Sequence, residues 1–172
     1  MTLGGGEPLV QADFAAAILR KCKEKGLHTA VETAGHVPWP EIEKVLPYTD
    51  LFLYDVKHMD PKKHREHVGT DNRLILANVK RLVERKNEVV VCVPIIPSFN
   101  DIASEIDAIA DFAASQGIKK INLLPYHRFG EGKYLLLGRT YQFQGRKKLS
   151  EEEIEGLRKV AAARELKVKV GG

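Results

Sequence analysis

Residues 88–127 read EVVVCVPIIPSFNDIASEIDAIADFAASQGIKKINLLPYH. The run from Glu88 to Ile96 is rich in β-branched residues and is ended by Pro97 and the Ser98-Phe99-Asn100 turn, the pattern of a buried strand. Ile102 to Gln116 repeats its apolar residues at helical spacing and stops at Gly117. Lys120 to Leu124 is again strand-like. A strand, a helix and a strand in this order make one parallel βαβ unit.

Working outward, the same alternation recurs. Towards the N-terminus, Asn72 to Arg85 and Pro61 to Val68 are helical, and Leu51 to Val56 (LFLYDV) reads as a buried strand. Pro40 to Leu46 is a short helix with proline in its first turn. His28 to Thr33 is a strand, and Leu9 to Lys25 is a helix with Phe14, Ala17, Ile18 and Cys22 spaced along one face and Gly26 as its stop. Met1 to Leu3 is the end of a strand that runs directly into Gly4-Gly5-Gly6. Towards the C-terminus, residues 128–145 are the longest irregular stretch, with Tyr134 to Leu137 as one helical turn. Ser150 with Glu153 forms a capping box that opens a last helix to about Glu165, and Lys167 to Val170 is a short extended piece. The pattern fits four full strands and the stub of a fifth in a single domain, residues 1–172. Right-handed crossovers suit either an open sheet or a barrel.

With 44% hydrophobic and 29% charged residues, the chain has the composition of a folded globular domain and not of a disordered segment. The net charge of +4 is spread through helices, as at Arg20-Lys21 and Lys62-Lys63, without the clustered basic footprint of a nucleic-acid binder. No apolar run approaches the ~20 residues of a membrane span, and the opening residues are not those of a signal peptide. Two distant cysteines, Cys22 and Cys92, suit a reduced, cytoplasmic protein better than a disulfide scaffold.

Four polar signals fall at the C-terminal ends of the strands: Gly5-Gly6-Glu7-Pro8, Glu32-Thr33, Asp55-Val56-Lys57 and Pro125-Tyr126-His127. Each has a plain structural explanation. A glycine run makes a tight turn, Glu32 is a solvated acid, Asp55 and Lys57 share a face as an ion pair, and His127 is a loop residue. Their recurrence at successive strand ends is more telling, because in parallel α/β folds ligands bind at that edge.

The ordered set GGEP, VETAG, DVK, VPIIPSFND and LLPYH resembles the glycyl-radical-enzyme activating enzymes of the radical S-adenosylmethionine (SAM) superfamily, and the resemblance runs from Met1 to about Val170. It implies a partial TIM-type (β/α)6 barrel, of which this chain is the C-terminal part without the first βα unit and most of the second strand. It implies an oxidoreductase that reductively cleaves SAM to methionine and a 5′-deoxyadenosyl radical, which takes a hydrogen atom from a glycine of a glycyl radical enzyme such as pyruvate formate-lyase. A flavodoxin or ferredoxin-type protein is the implied electron donor. By the same resemblance Gly5, Gly6 and Glu7 receive the SAM amino group. Glu32 and Thr33 match an Asp-Thr pair that helps fix SAM and, in some members, a monovalent cation. Asp55 is placed for ribose or cation contacts, Lys57 for the SAM carboxylate, and His127 for the carboxylate and ribose.

The sequence departs from the family at two points. Cys92 stands where at least one member has an arginine. No CxxxCxxC is present, so no 4Fe–4S cluster, no metal ligand and no catalytic residue are expected within this chain, and alone it is expected to be inactive. Loss of the leading units is expected to leave Met1 to Leu3 and the His28 to Thr33 strand open on one side, inviting self-association. Two other readings fit the residues: a βα-barrel aldolase or epimerase with Lys57 as Schiff-base amine, and a non-catalytic SAM- or peptide-binding domain.

Overall fold

The computed structural model describes residues 1–127, Leu136, Gly138 and residues 148–171. Six parallel strands follow one another across a single sheet in sequence order: β1 (Thr2–Leu3), β2 (Ala30–Thr33), β3 (Leu51–Asp55), β4 (Val89–Ile95), β5 (Lys120–Pro125) and β6 (Lys167–Val170). Between them run α1 (Ala12–Glu24), α2 (Trp39–Val45), α3 (Pro61–Val68), α4 (Arg73–Glu84), α5 (Ala103–Ser115) and α6 (Glu151–Ala162). When every crossover steps to the next strand in the same direction and has the same hand, the helices collect on one face. That is the construction of a barrel wall. A doubly wound sheet reverses direction and covers both faces.

The two faces differ accordingly. Val31, Phe52, Tyr54, Val91, Val93, Ile121 and Leu123 are all fully buried and form one core with helix residues such as Leu19, Ile42, Val79, Ile106 and Ile109. Alternation sends the intervening residues to the other, inner face. The register aligns Asp55 with Cys92 and Cys92 with Asn122, so an acid, a thiol and an amide form one row across β3, β4 and β5.

Sequence expectations for the individual elements are met with three corrections. The first helix opens as a 3₁₀ turn, Pro8–Gln11, before α1 begins. Its buried face is Leu9, Ala12, Ala15 and Leu19, and Phe14 points outward at 65% exposed. Small alanines let α1 approach the neighbouring α2, which a face led by phenylalanine would hold off. The final extended piece is a true strand, pairing Lys120 with Lys167 and Leu123 with Val170, so the described sheet has six strands. Finally, β2 is not open along its whole length. Thr2 pairs with Ala30 and Leu3 with Val31, and β6 lies at the opposite edge of the sheet.

The capping box forms as the sequence requires: Ser150 N–H donates to Glu153 Oε2 at 2.6 Å and Glu153 N–H to Ser150 Oγ at 3.2 Å. The long connection at 128–145, including most of the Tyr134 to Leu137 turn, lies outside the described residues.

Candidate ligand site at the C-terminal edge of the sheet

The glycine loop after β1 is the first wall of the site. Gly5 and Gly6 have φ of 86° and 51°, a left-handed backbone that glycine adopts without cost, and a side chain added at either would meet open space. Gly4 differs. A Cβ there would stand 2.7 Å from Glu32 Oε2, so the loop packs its bare backbone against the Glu32 carboxyl group.

Glu7 fastens this loop to the end of β2. Its Oε1 accepts from Leu9 N–H (3.1 Å) and from the Thr33 hydroxyl (2.7 Å), and Oε2 accepts from Ala34 N–H (3.0 Å). Thr33 is buried, and its hydroxyl oxygen also accepts from Gly35 N–H at 2.8 Å. With four lone-pair sites on a carboxylate and three in use, Glu7 keeps one acceptor position on Oε2.

The second wall is the end of β3. Lys57 Nζ lies 3.3 Å from Asp55 Oδ2. Asp55 Oδ1 is buried and has no partner among the described residues. Burial raises the Asp55 pKa, the Lys57 ammonium opposes that rise, and the Glu32 and Glu7 carboxylates add to it. Cys92, opposite Asp55 on β4, is 4% exposed, and burial with the neighbouring Asp55 and Glu32 charges pushes its thiol up to about 12. In the absence of a metal it is therefore a neutral thiol at physiological pH. His127 lies just beyond β5 and is exposed.

Glu7, Glu32, Asp55 and Lys57 thus come together, close enough for the two glutamates and Lys57 to act electrostatically on Asp55. The sequence pattern missed Gly4, whose close approach to Glu32 is tertiary. It also missed Asn100. That side chain is fully buried, donates to Lys57 O (2.7 Å) and Pro94 O (2.8 Å), and accepts from Ile96 N–H (2.7 Å). The Asn-Asp pair after Pro97 was legible only as a turn.

The two cysteines do not fit an iron–sulfur cluster. Cys22 is half-buried on α1 and Cys92 is buried on β4, and among the described residues no group of three or more His, Cys, Asp or Glu side chains could hold a metal. The edge does fit an organic ligand that donates hydrogen bonds and carries an anionic group. It offers an orphaned buried carboxylate oxygen, an adjacent ammonium and a glycine loop open to approach.

A one-sided parallel α/β wall with its polar groups gathered at the C-terminal edge of the strands defines a barrel-type ligand-binding domain. The chain belongs to the Radical SAM superfamily, whose family model matches residues 1–113. It is 40% identical over 159 residues to the choline trimethylamine-lyase activating enzyme of Oleidesulfovibrio alaskensis, covering 90% of this chain and 51% of that protein. It is 39% identical over 162 residues to a 4-hydroxyphenylacetate decarboxylase activating enzyme of Clostridioides difficile, covering 93% of this chain and 51% of that protein. The chain spans about half the length of these curated relatives. The crystal structure of a domain of pyruvate-formate lyase-activating enzyme from Bacteroides vulgatus superimposes with a TM-score of 0.83 at 30% identity, covering 100% of this chain and 98% of that one. The family match sets aside the Schiff-base aldolase reading of Lys57. Among the described residues no helix is long and apolar enough to cross a membrane.

Proposed function

We propose that this chain forms the S-adenosylmethionine-binding wall of an activating enzyme for a glycyl radical enzyme such as pyruvate formate-lyase, served by a flavodoxin or ferredoxin-type electron donor. The observation that carries the reading is the buried Asp55 Oδ1, without a partner among the described residues, beside Lys57 and at the same edge as the glycine loop. A buried carboxylate oxygen without a donor is costly unless a ligand supplies one.

S-adenosylmethionine supplies the radical chemistry when bound; this chain's residues bind and orient it. Gly5 and Gly6 admit the amino group close to the backbone. Glu7 holds the loop and offers its remaining acceptor position. Glu32 and Thr33 bound the site from β2, with Thr33 acting through Glu7. Asp55 Oδ1 accepts from a ribose hydroxyl, and Lys57 meets the carboxylate. His127 contributes near the carboxylate and ribose. Because neither cysteine is placed to hold the cluster, its thiolates come from elsewhere in the active assembly.

The test is a titration of the chain with S-adenosylmethionine followed by NMR. Weak binding is expected, because iron chelation contributes nothing here, and Lys57→Ala should weaken it about tenfold, the loss of one charge-assisted contact of ~1.5 kcal/mol. Affinity left unchanged by Lys57→Ala and by Asp55→Ala would refute the assigned site, and sub-micromolar binding would refute the need for the cluster.

A further inference from the structure

Three buried polar side chains converge on one short segment of backbone, Lys57-His58-Met59, that leaves β3. Asn100 donates to Lys57 O, and Asn72 donates to His58 O (2.7 Å) and Met59 O (2.8 Å). Glu105, from the first turn of α5, accepts from Met59 N–H. His58 folds back so that its Nδ1 accepts from Asp60 N–H at 3.0 Å. Asn72, Asn100, Glu105 and His58 are each 8% exposed or less. Polar side chains are seldom buried so completely, and Asn72, Asn100 and Glu105 are each held by backbone they in turn fix.

We propose that Asn100 is a positioning residue for Lys57, the keystone of a clamp that sets this lysine at the ligand edge. Its amide nitrogen ties the backbone of Lys57 to that of Pro94, while its oxygen takes Ile96 N–H. One planar group therefore locks the loop after β3 to the end of β4. The clamp matters because Lys57 itself has little else to fix it. It is past the end of β3, and among the described residues its ammonium is held by the 3.3 Å approach to Asp55. Fixing the lysine's backbone beforehand removes one part of the ordering cost of placing its ammonium against an anionic group. The inference rests on the reading of Lys57 as the cation that meets the ligand carboxylate.

The experiment is site-resolved acylation of lysines, followed by mass spectrometry, on the chain with and without millimolar S-adenosylmethionine. In Asn100→Ala, Lys57 should label about fivefold faster, the effect of a ~1 kcal/mol loss of fixation, while Lys21, Lys62 and Lys120 keep their rates. Asn100→Asp retains the acceptor for Ile96 N–H and loses the donor to Lys57 O. It should show the same selective rise, and it serves if alanine prevents folding. An unchanged Lys57 rate in a folded variant overturns the proposal, and so does an equal rise at every lysine, which reports general loosening. S-adenosylmethionine should slow Lys57 labelling in the parent and fail to do so in Asn100→Asp. If it does not slow labelling in the parent, the carboxylate role of Lys57 falls, whereas the ligand-free rates test the clamp on their own.

Discussion

At the scale of single residues, the rim of the site depends on positions where nothing larger or differently charged fits. Gly35 is the sharpest case. Its φ is 64°, and a Cβ there would stand 1.9 Å from Tyr54 Oη. Tyr54 cannot yield easily, because it is fully buried and its hydroxyl donates to Ile75 O at 2.8 Å. Gly35 O in turn accepts from the buried Asn78 amide at 2.9 Å. Gly35→Ala should therefore destabilise the fold by about 3 kcal/mol, combining left-handed strain with overpacking, read as a lower urea midpoint. Histidines give a second expectation. His58 and His64 are buried, and burial holds both pKa values below the usual 6.5. As pH falls through that value the unfolded chain takes up protons that the folded chain refuses. The stability from keeping them neutral is present above it and is lost below it. Glu105 and Asp55, raised by burial, act in the opposite sense, adding stability as pH falls. The histidine contribution is therefore read as a difference: between about pH 7.5 and about pH 5.5 the parent's denaturant midpoint should fall further than that of His64→Asn.

At the scale of elements, the sheet has two unlike edges. β6 closes one side with four residues, and lysines 167 and 169 along it discourage further pairing. β1 closes the other with two residues, so among the described residues the far end of β2, at Glu32 and Thr33, has no strand on the β1 side. Exposed apolar side chains follow β1: Val10 is 74% and Phe14 65% exposed. A short backbone edge next to exposed apolar surface favours association with a second copy. Self-association is expected at micromolar concentration, measured by light scattering, and Phe14→Glu should reduce it. A strictly monomeric parent would show that the chain protects this edge by itself.

At the scale of the molecule, the sheet is wound in one sense, and on the proposed reading its inner face is where the ligand binds. The row Asp55, Cys92 and Asn122 crosses that face, and its thiol is a neutral, buried group. Because the two cysteines stand apart, on α1 and β4, anaerobic reconstitution with iron and sulfide should leave the chain without a stoichiometric cluster. Recovery of about four iron atoms per chain would show that thiolates other than a three-cysteine loop can assemble one.

The sequence by itself determined the parallel βα order and the edge on which the polar groups lie. Both follow from short-range rules: periodicity distinguishes strand from helix, and a residue just past a strand must lie at its C-terminal end. GGEP, DVK and the capping box at Ser150 could be read directly because each is local. The burial of α1 could not. Phe14 and Ile18 have helical spacing, yet the face that packs is the alanine one, because the distance to α2 is set by two helices together. Lys167 to Val170 became a full strand only because β5 was there to pair with it. The interior of the site was equally a tertiary decision. Gly4 meets Glu32 across 28 residues, Glu7 meets Thr33 across 26, and Asn100 reaches Lys57 across 43. Hydrogen bonds between such distant residues carry no local sequence pattern, and they form only once the sheet has brought the strand ends side by side.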